Sequence, residues 1–160
     1  MKEYKVHLYW MKGKKMATQL QLTNQFGTEL LDHLPNDVEI PIVQGSQRQG
    51  DVLIRPSKDG EVLLDEVSTA PLIPMAGVPV VRGENGGNTH LLVGEGDVRY
   101  LPAKETTATS LILGSLLVGE GSVAYLTHPQ HGFMGIGSGT YIVKRQREVS
   151  VEEELRIIAD

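Results

Sequence analysis

The feature that most constrains the fold is an internal repeat. HLLVGEGDVRYLP (90–102) returns 25 residues later as SLLVGEGSVAYLTHP (115–129). In both copies LLVGEG is followed by one residue and then Val-x-Tyr-Leu. Apolar and aromatic runs around a Gly-Glu-Gly break read as a strand, a turn and a return strand. Two copies are too few for a solenoid, which needs about three units. The expectation is two similar hairpins in one sandwich or barrel. His90 opens the first copy, and the second runs into His128-Pro-Gln-His131-Gly, so the pattern places imidazoles at matching edges.

The rest of the chain extends this β pattern. Tyr4, Val6, Leu8 and Trp10 alternate with Lys5, His7 and Tyr9, a period-2 strand. Met16 offers a second start, which would make the first fifteen residues an upstream extension. Gln19 to Leu22 is polar and alternating, and Thr28 is placed to cap a short helix through Leu34, ended by Pro35. Asp37 to Val43 alternates again, and Pro41 puts that strand at a sheet edge. Strands are expected at 52–54, 61–64, 78–81, 90–93, 97–101, 110–113, 115–118, 122–127 and 141–149, with 61–64 returning as hairpin partner of 52–54 across Asp59-Gly60. Residues 132–140 are Gly-rich. Ser150-Val-Glu-Glu153 is a capping box for a C-terminal helix. The fold class expected is mainly β: a compact antiparallel sandwich, jelly roll or small barrel with an N-terminal arm (1–45), a β domain (46–160) and a short C-terminal helix.

A chain of 160 residues suits one domain and can bury its own core. It has no cysteine, which excludes disulfides and thiolate zinc sites and suits a reducing compartment. The net charge of −5 makes a nucleic-acid partner a poor expectation, because phosphate binding needs a dense basic face. No run of eighteen apolar residues predicts a membrane span, and the N-terminus shows no signal-peptide core. Cytoplasmic residence is the expectation.

Three constellations carry candidate chemistry. His90, His128 and His131 form the first: three neutral imidazoles with one open position make a catalytic zinc arrangement, with Glu84, Glu95 or Asp97 as a fourth ligand. The alternative is that they are turn histidines bonded to backbone. The second is Lys144-Arg-Gln-Arg-Glu148. On a strand Arg145 and Arg147 share a face and can fork onto a carboxylate or phosphate. The alternative is cross-strand pairing with Glu61, Glu66 or Asp97. The third is the set of glycine loops. Gly83–Gly87 lacks the phosphate-loop order, GEGxV does not open a helix, and Ser138 in GIGSGT lacks the strand-to-helix setting of a nucleophile elbow.

RQGDVLI (48–54), GENGGNTHLL (83–92), HPQHG (128–132) and GTYIVKRQREV (139–149) resemble a group of short bacterial and phage-encoded proteins. Its members read RQGDV…GExxGHxH…HxEHG…LPxGTYxVxRQREY and end in a short helix. The resemblance spans roughly residues 46–160 and implies an architecture and a candidate site, but no reaction. This chain has Asn88 in place of the first histidine of GHxH, Gln130 in place of the acid of HxEHG, and IGSG (136–139) in place of LPxG. Asn is a poor zinc ligand but hydrogen-bonds a small polar ligand well, so Asn88, Arg145 and Arg147 are candidate ligand-binding residues beside the histidines.

Three functions follow as expectations. The first is a non-enzymatic β domain with a histidine-lined ligand site, or a metal site with zinc as the natural ion. The second is a structural or assembly protein, for example of a phage particle and then located in the virion, which forms a homo-oligomer through residues 2–43 with Trp10, Tyr4 and Tyr9 as anchors. The third is a cupin-like metalloenzyme.

Overall fold

The computed structural model describes residues 16–28, 33–62, 64–82, 89–104 and 111–145. The chain is mainly β. Among the described residues, ten strands and two short helices run in the order α1 (Gln19–Phe26), β1 (Ile42–Val43), β2 (Gln47–Gln49), β3 (Val52–Pro56), α2 (Leu64–Ser68), β4 (Val78–Val81), β5 (His90–Glu95), β6 (Val98–Pro102), β7 (Ile112–Val118), β8 (Val123–His128), β9 (Gly132–Ile136) and β10 (Gly139–Arg145). They form two five-stranded sheets, β1-β9-β8-β5-β4 and β2-β3-β10-β7-β6. One apolar core takes residues from both: Leu92, Leu126 and Ile136 from the first sheet, Ile54, Leu116 and Tyr141 from the second. The sheets pack like a sandwich and do not close into a barrel.

The repeat folds differently from two hairpins. β5 and β6 lie in different sheets, and so do β7 and β8. Each Gly-Glu-Gly segment is a corner that carries the chain from one sheet to the other. The copies then pair with each other. β5 of the first copy runs antiparallel to β8 of the second, with Leu92 opposite Leu126. β6 of the first copy pairs with β7 of the second, with Tyr100 opposite Leu116. The two corners touch where the copies cross: Asp97 N–H donates to Ser122 Oγ at 2.8 Å, and Gly119 N–H donates to Asp97 O at 2.7 Å. Gly96 has φ +86°, and a Cβ there would sit 2.5 Å from Ser122 Oγ, so this corner needs glycine for both backbone and space.

Both outer faces are covered, which is why β8 is buried at every residue. α1 lies on the first sheet, with Leu22 and Phe26 packed among Val93, Val123, Tyr125 and Phe133. α2 covers part of the second, with Val67 against Ile142. α1 starts earlier than the sequence suggests. Thr18 is its N-cap, its hydroxyl accepts from Gln21 N–H at 3.2 Å, and Gln21 Oε1 accepts from Thr18 N–H at 2.9 Å. That capping box and the stripe of Leu22 and Phe26 override the polar alternation of 19–22. The helix expected from Thr28 to Leu34 does not form at its described end: Gly27 terminates α1 in the left-handed region, and His33 and Leu34 are turn and bend.

Other elements shift for local reasons. The partner of β3 is not 61–64 but β2, joined through the two-residue loop Gly50-Asp51. Glu61 instead folds back to clamp Arg55 with contacts of 2.8 and 2.6 Å, and accepts from Lys58 N–H. Those bonds hold its carboxyl down at about pKa 2, and the chain enters α2. The strands expected at 110–113 and 115–118 are one strand, β7. Gly114 does not break it but makes room for the Tyr100 ring, whose hydroxyl lies 2.5 Å from where a Cβ would be. The Gly-rich stretch 132–140 contains β9, because Phe133 and Ile136 find apolar layers on the two faces of the sheet. β1 sits at the sheet edge, where Pro41 predicted a strand, and pairs parallel to β9. The expected strand at 2–10 and the C-terminal helix lie outside the described residues.

Candidate functional site: a histidine cluster at the end of the sandwich

β5 begins at His90 and β8 ends at His128. Leu91 is paired with Thr127, so the two histidines follow directly at the end of that ladder. Side chains alternate along a strand. Leu92 and Leu126 face the core, and His90 and His128, two residues away from each, continue those rows inward. Their rings lie 4.4 Å apart, tilted by 36°. Each is almost wholly buried, with 5% of His90 and 6% of His128 exposed.

His131 joins them through a tight turn. Pro129 supplies the preset φ of the second turn position, and His131 N–H donates to His128 O at 3.1 Å. Gln130 N–H donates to His128 Nδ1 at 3.1 Å, which locks that ring against the loop. Gly132 leaves the turn at φ +77°. Two buried glutamines then pin the loop. Gln19 Oε1, at the start of α1, accepts from Phe133 N–H at 3.0 Å and fills the space over Gly132. Gln49 Nε2, from β2, donates to Gly132 O at 3.1 Å. The His131 ring stands 4.7 Å from His128 and 6.2 Å from His90, and it is exposed.

The opposite sheet closes the cluster with the β2–β3 hairpin. Gly50, at φ +57°, faces the histidines: a Cβ there would lie 3.2 Å from His131 Nε2 and 3.4 Å from His90 Nε2. Gly50 therefore packs close against both rings, and a side chain there would crowd them. Asp51 follows. Its Oδ1 is 4.0 Å from His90 Nδ1, and its Oδ2 meets Arg145 Nε at 3.2 Å. Arg145 thus orients the carboxylate that faces His90.

The two ring nitrogens of His90 sit in different surroundings. Burial pushes its pKa below the ordinary imidazole value, the nearby Asp51 charge and a hydrogen bond to the Gln49 backbone oppose that, and His131 reinforces it. Burial thus favours the neutral form of the ring. Its Nε2 is buried and has no partner among the described residues. The bond to Gln49 is therefore made by Nδ1, which assigns the proton there and leaves a lone pair on Nε2. Gln49 Oε1 is also buried without a partner, and its amide orientation is set by the carbonyls that its nitrogen meets. The site presents two unmatched buried acceptors.

The structure thus brings His90, His128 and His131 together. It does not converge all three on one point: the rings lie largely face to face, and among the described residues no group of three His, Cys, Asp or Glu side chains is arranged to hold a metal ion. Of the proposed fourth ligands, Glu95 and Asp97 lie at the far end of β5 and in its corner, and Asp97 pairs with Arg99 at 2.8 Å. Arg145 meets a carboxylate, but it is Asp51 and not Glu61, Glu66 or Asp97. Asn88, Arg147 and Glu84 lie outside the described residues. Sequence reading missed Gln19, Gln49, Gly50 and Asp51. Three of these stand in the RQGDV segment on which the resemblance rests, so the signal was present without its meaning.

The fold and site define a two-sheet β domain with a buried imidazole cluster between the sheet ends. The chain belongs to the family described as a domain of unknown function, DUF8820, whose model matches residues 48–146. That span holds His90, His128, His131, Gln49, Gly50, Asp51 and Arg145, and leaves out Gln19 and Gln47, the first residue of β2. Comparison with curated proteins and with solved structures finds no match. No helix among the described residues is long and apolar enough to cross a membrane.

Proposed function

We propose that this protein is a non-enzymatic binding domain that holds a small ligand against the histidine cluster. The observation that carries the reading is Nε2 of His90, buried and without a partner among the described residues, close to Gly50 and to the exposed His131. A buried acceptor without a partner costs about 1–3 kcal/mol, and Gln49 Oε1 adds a second. A ligand that brings positive charge or hydrogen-bond donors recovers that cost. The exposed His131 provides the way in from solvent. Asn88 and Arg147, near the same segments in sequence, are the further polar groups expected to contact the ligand.

An assembly role, of the kind a bacterial or phage-encoded setting suggests, would use the arm, residues 2–43. The apolar side of α1 is already occupied by the domain's own first sheet, which favours the binding reading. The test is the tautomer of His90, measured by long-range proton–nitrogen NMR of the imidazole rings. The expected result is a proton on Nδ1 and none on Nε2 near neutral pH. A protonated Nε2 would overturn the reading, because the ring would then present no open lone pair.

A further inference from the structure

We propose that the turn 128–132 is an acid-operated latch. It closes over the cluster while the imidazoles of His90 and His128 are neutral, and it is released when both rings take up protons. The inference goes beyond the binding reading: it needs no ligand, and shares with that reading only the neutral ring of His90.

Hydrogen bonding by itself requires neutral rings in the closed form. A backbone N–H can only donate, so the Gln130 N–H, 3.1 Å away, makes Nδ1 of His128 an acceptor. A proton on that nitrogen would set two donors against each other and break a bond that ties the turn to the end of β8. At His90 the bond to the Gln49 backbone takes the proton on Nδ1, so a second proton must go to Nε2, which is buried and has no partner among the described residues. Both rings are nearly sealed from water, and a charge without hydration is disfavoured. The rings also stand only 4.4 Å apart, so the second charge meets the first.

The surroundings offset little of this. The turn itself brings His131, 4.7 Å from His128. β2 brings Arg48, whose Nε donates to Gly50 O at 2.8 Å. At the end of β4 the exposed Arg82 follows Val81, which pairs with His90. Asp51 opposes these cations from 4.0 Å, but Arg145 of β10 already engages it. α1 contributes only the neutral Gln19. The turn can open without disturbing the core, because Gln130 and His131 are exposed and Gly132, at φ +77°, stands at its base. An imidazole in water takes up its proton near pH 6.5, and burial holds the closed His90 below that value. The open form therefore binds more protons than the closed one as pH falls below about 6.5, and the latch weakens from there downward. Above that pH both forms carry neutral rings and the latch stays closed.

The experiment is amide hydrogen exchange of the full chain from about pH 8 to about pH 5 with no ligand added, read at the Gln130 amide and across the β5–β8 ladder. Each proton taken up on opening multiplies the open population about tenfold per pH unit. With two rings, protection at Gln130 should fall by up to about a hundredfold per unit below about pH 6.5, while the ladder keeps its own. His128→Asn retains a side-chain oxygen for the Gln130 N–H but takes up no proton, so the dependence should drop to about tenfold per unit. The wild-type titration decides the matter even where this variant does not fold. Protection at Gln130 that stays flat through the acid range overturns the latch, and the binding reading then stands if Nε2 of His90 is unprotonated near neutral pH. Loss of protection at Gln130 and in the ladder together is global acid unfolding, and also overturns it. So does a His128→Asn dependence as steep as that of the wild type. A protonated Nε2 of His90 near neutral pH removes the binding reading and leaves the latch to the Gln130 amide.

Discussion

The two crossings of the repeat start from nearly the same residues and end in different chemistry. Where β5 meets β8, the ladder of Leu91 and Thr127 runs on into His90 and His128, side by side. Where β6 meets β7, the corresponding positions are Ser115 and Ala103, and Leu101 stands opposite Ser115. The identical stretches also face different layers. Val98 and Tyr100 of the first copy enter the central core, whereas Val123 and Tyr125 of the second enter the layer under α1. A shift of one residue along a strand exchanges its faces. The LLV run tolerates this because it is apolar on both sides and both sheets carry a cover. The scaffold is thus duplicated and the site is not: a repeat supplies ribbons, and two non-equivalent positions turn one crossing into a histidine cluster.

The largest test of that comparison is in the core the crossings share. Leu126→Ala, at a fully buried position in the β5–β8 ladder, should cost about 2–5 kcal/mol in denaturant unfolding. Leu117→Ala, on the half-buried outer face of the β6–β7 ladder, should cost clearly less. Equal losses would mean that the two crossings are not packed differently.

The corners give a sharper contrast. Gly96 and Gly121 are equivalent in the repeat, and both have positive φ, at 86° and 74°. A Cβ at Gly96 meets Ser122 Oγ at 2.5 Å, while one at Gly121 meets nothing within 4 Å. Gly121→Ala should cost about 1 kcal/mol, the backbone penalty alone. Gly96→Ala should cost more and lower the melting temperature further. A Gly121 variant as damaged as the Gly96 variant would break the assignment of the corners.

Alkaline titration compares the paired tyrosines. Burial raises the pKa of Tyr100 well above the free phenol and pushes Tyr125 up to about 12, with the Glu95 charge adding to the second. Burial also takes Tyr141 to about 12. An unfolded tyrosine ionises near 10. Between about pH 10 and 12 the folded chain therefore binds more protons than the unfolded one, and stability falls as pH rises through that window. Ultraviolet absorbance should show phenolate forming only with unfolding. Early ionisation of Tyr100, Tyr125 or Tyr141 would mean that its ring is not enclosed between the layers of the sandwich.

The smallest effect is expected at the rim. The pair of Arg145 and Asp51 is about 40% exposed on each side, so Arg145→Gln should cost no more than about 1 kcal/mol. Its effect should fall on ligand affinity through the orientation of Asp51. A loss of several kcal/mol would mean that the pair is a structural anchor.

Much of this was legible before the fold. Pro41 marks an edge strand, whereas the reading that puts a helix cap at Thr28 misses the capping box of Thr18 and Gln21. The cluster of His90, His128 and His131 was legible as a candidate because one repeat copy begins and the other ends in histidine. Its walls were not. Gln49, Gly50 and Asp51 are polar turn residues in sequence, and only the facing of the two sheets gives Gly50 its meaning. Glu61 read as a strand residue because nothing local reveals that Arg55 will hold it.

The order of residues alone decided that this chain would be ribbons with glycine corners, since strand period, turn chemistry and caps act over a few neighbours. Which ribbon pairs with which was decided by the folded core. Each LLV run is apolar enough to lie in either sheet, so its partner is chosen by what covers each face. The cluster comes from that choice, because the imidazoles at 90 and 128 meet only when the first strand of one copy lies beside the second strand of the other.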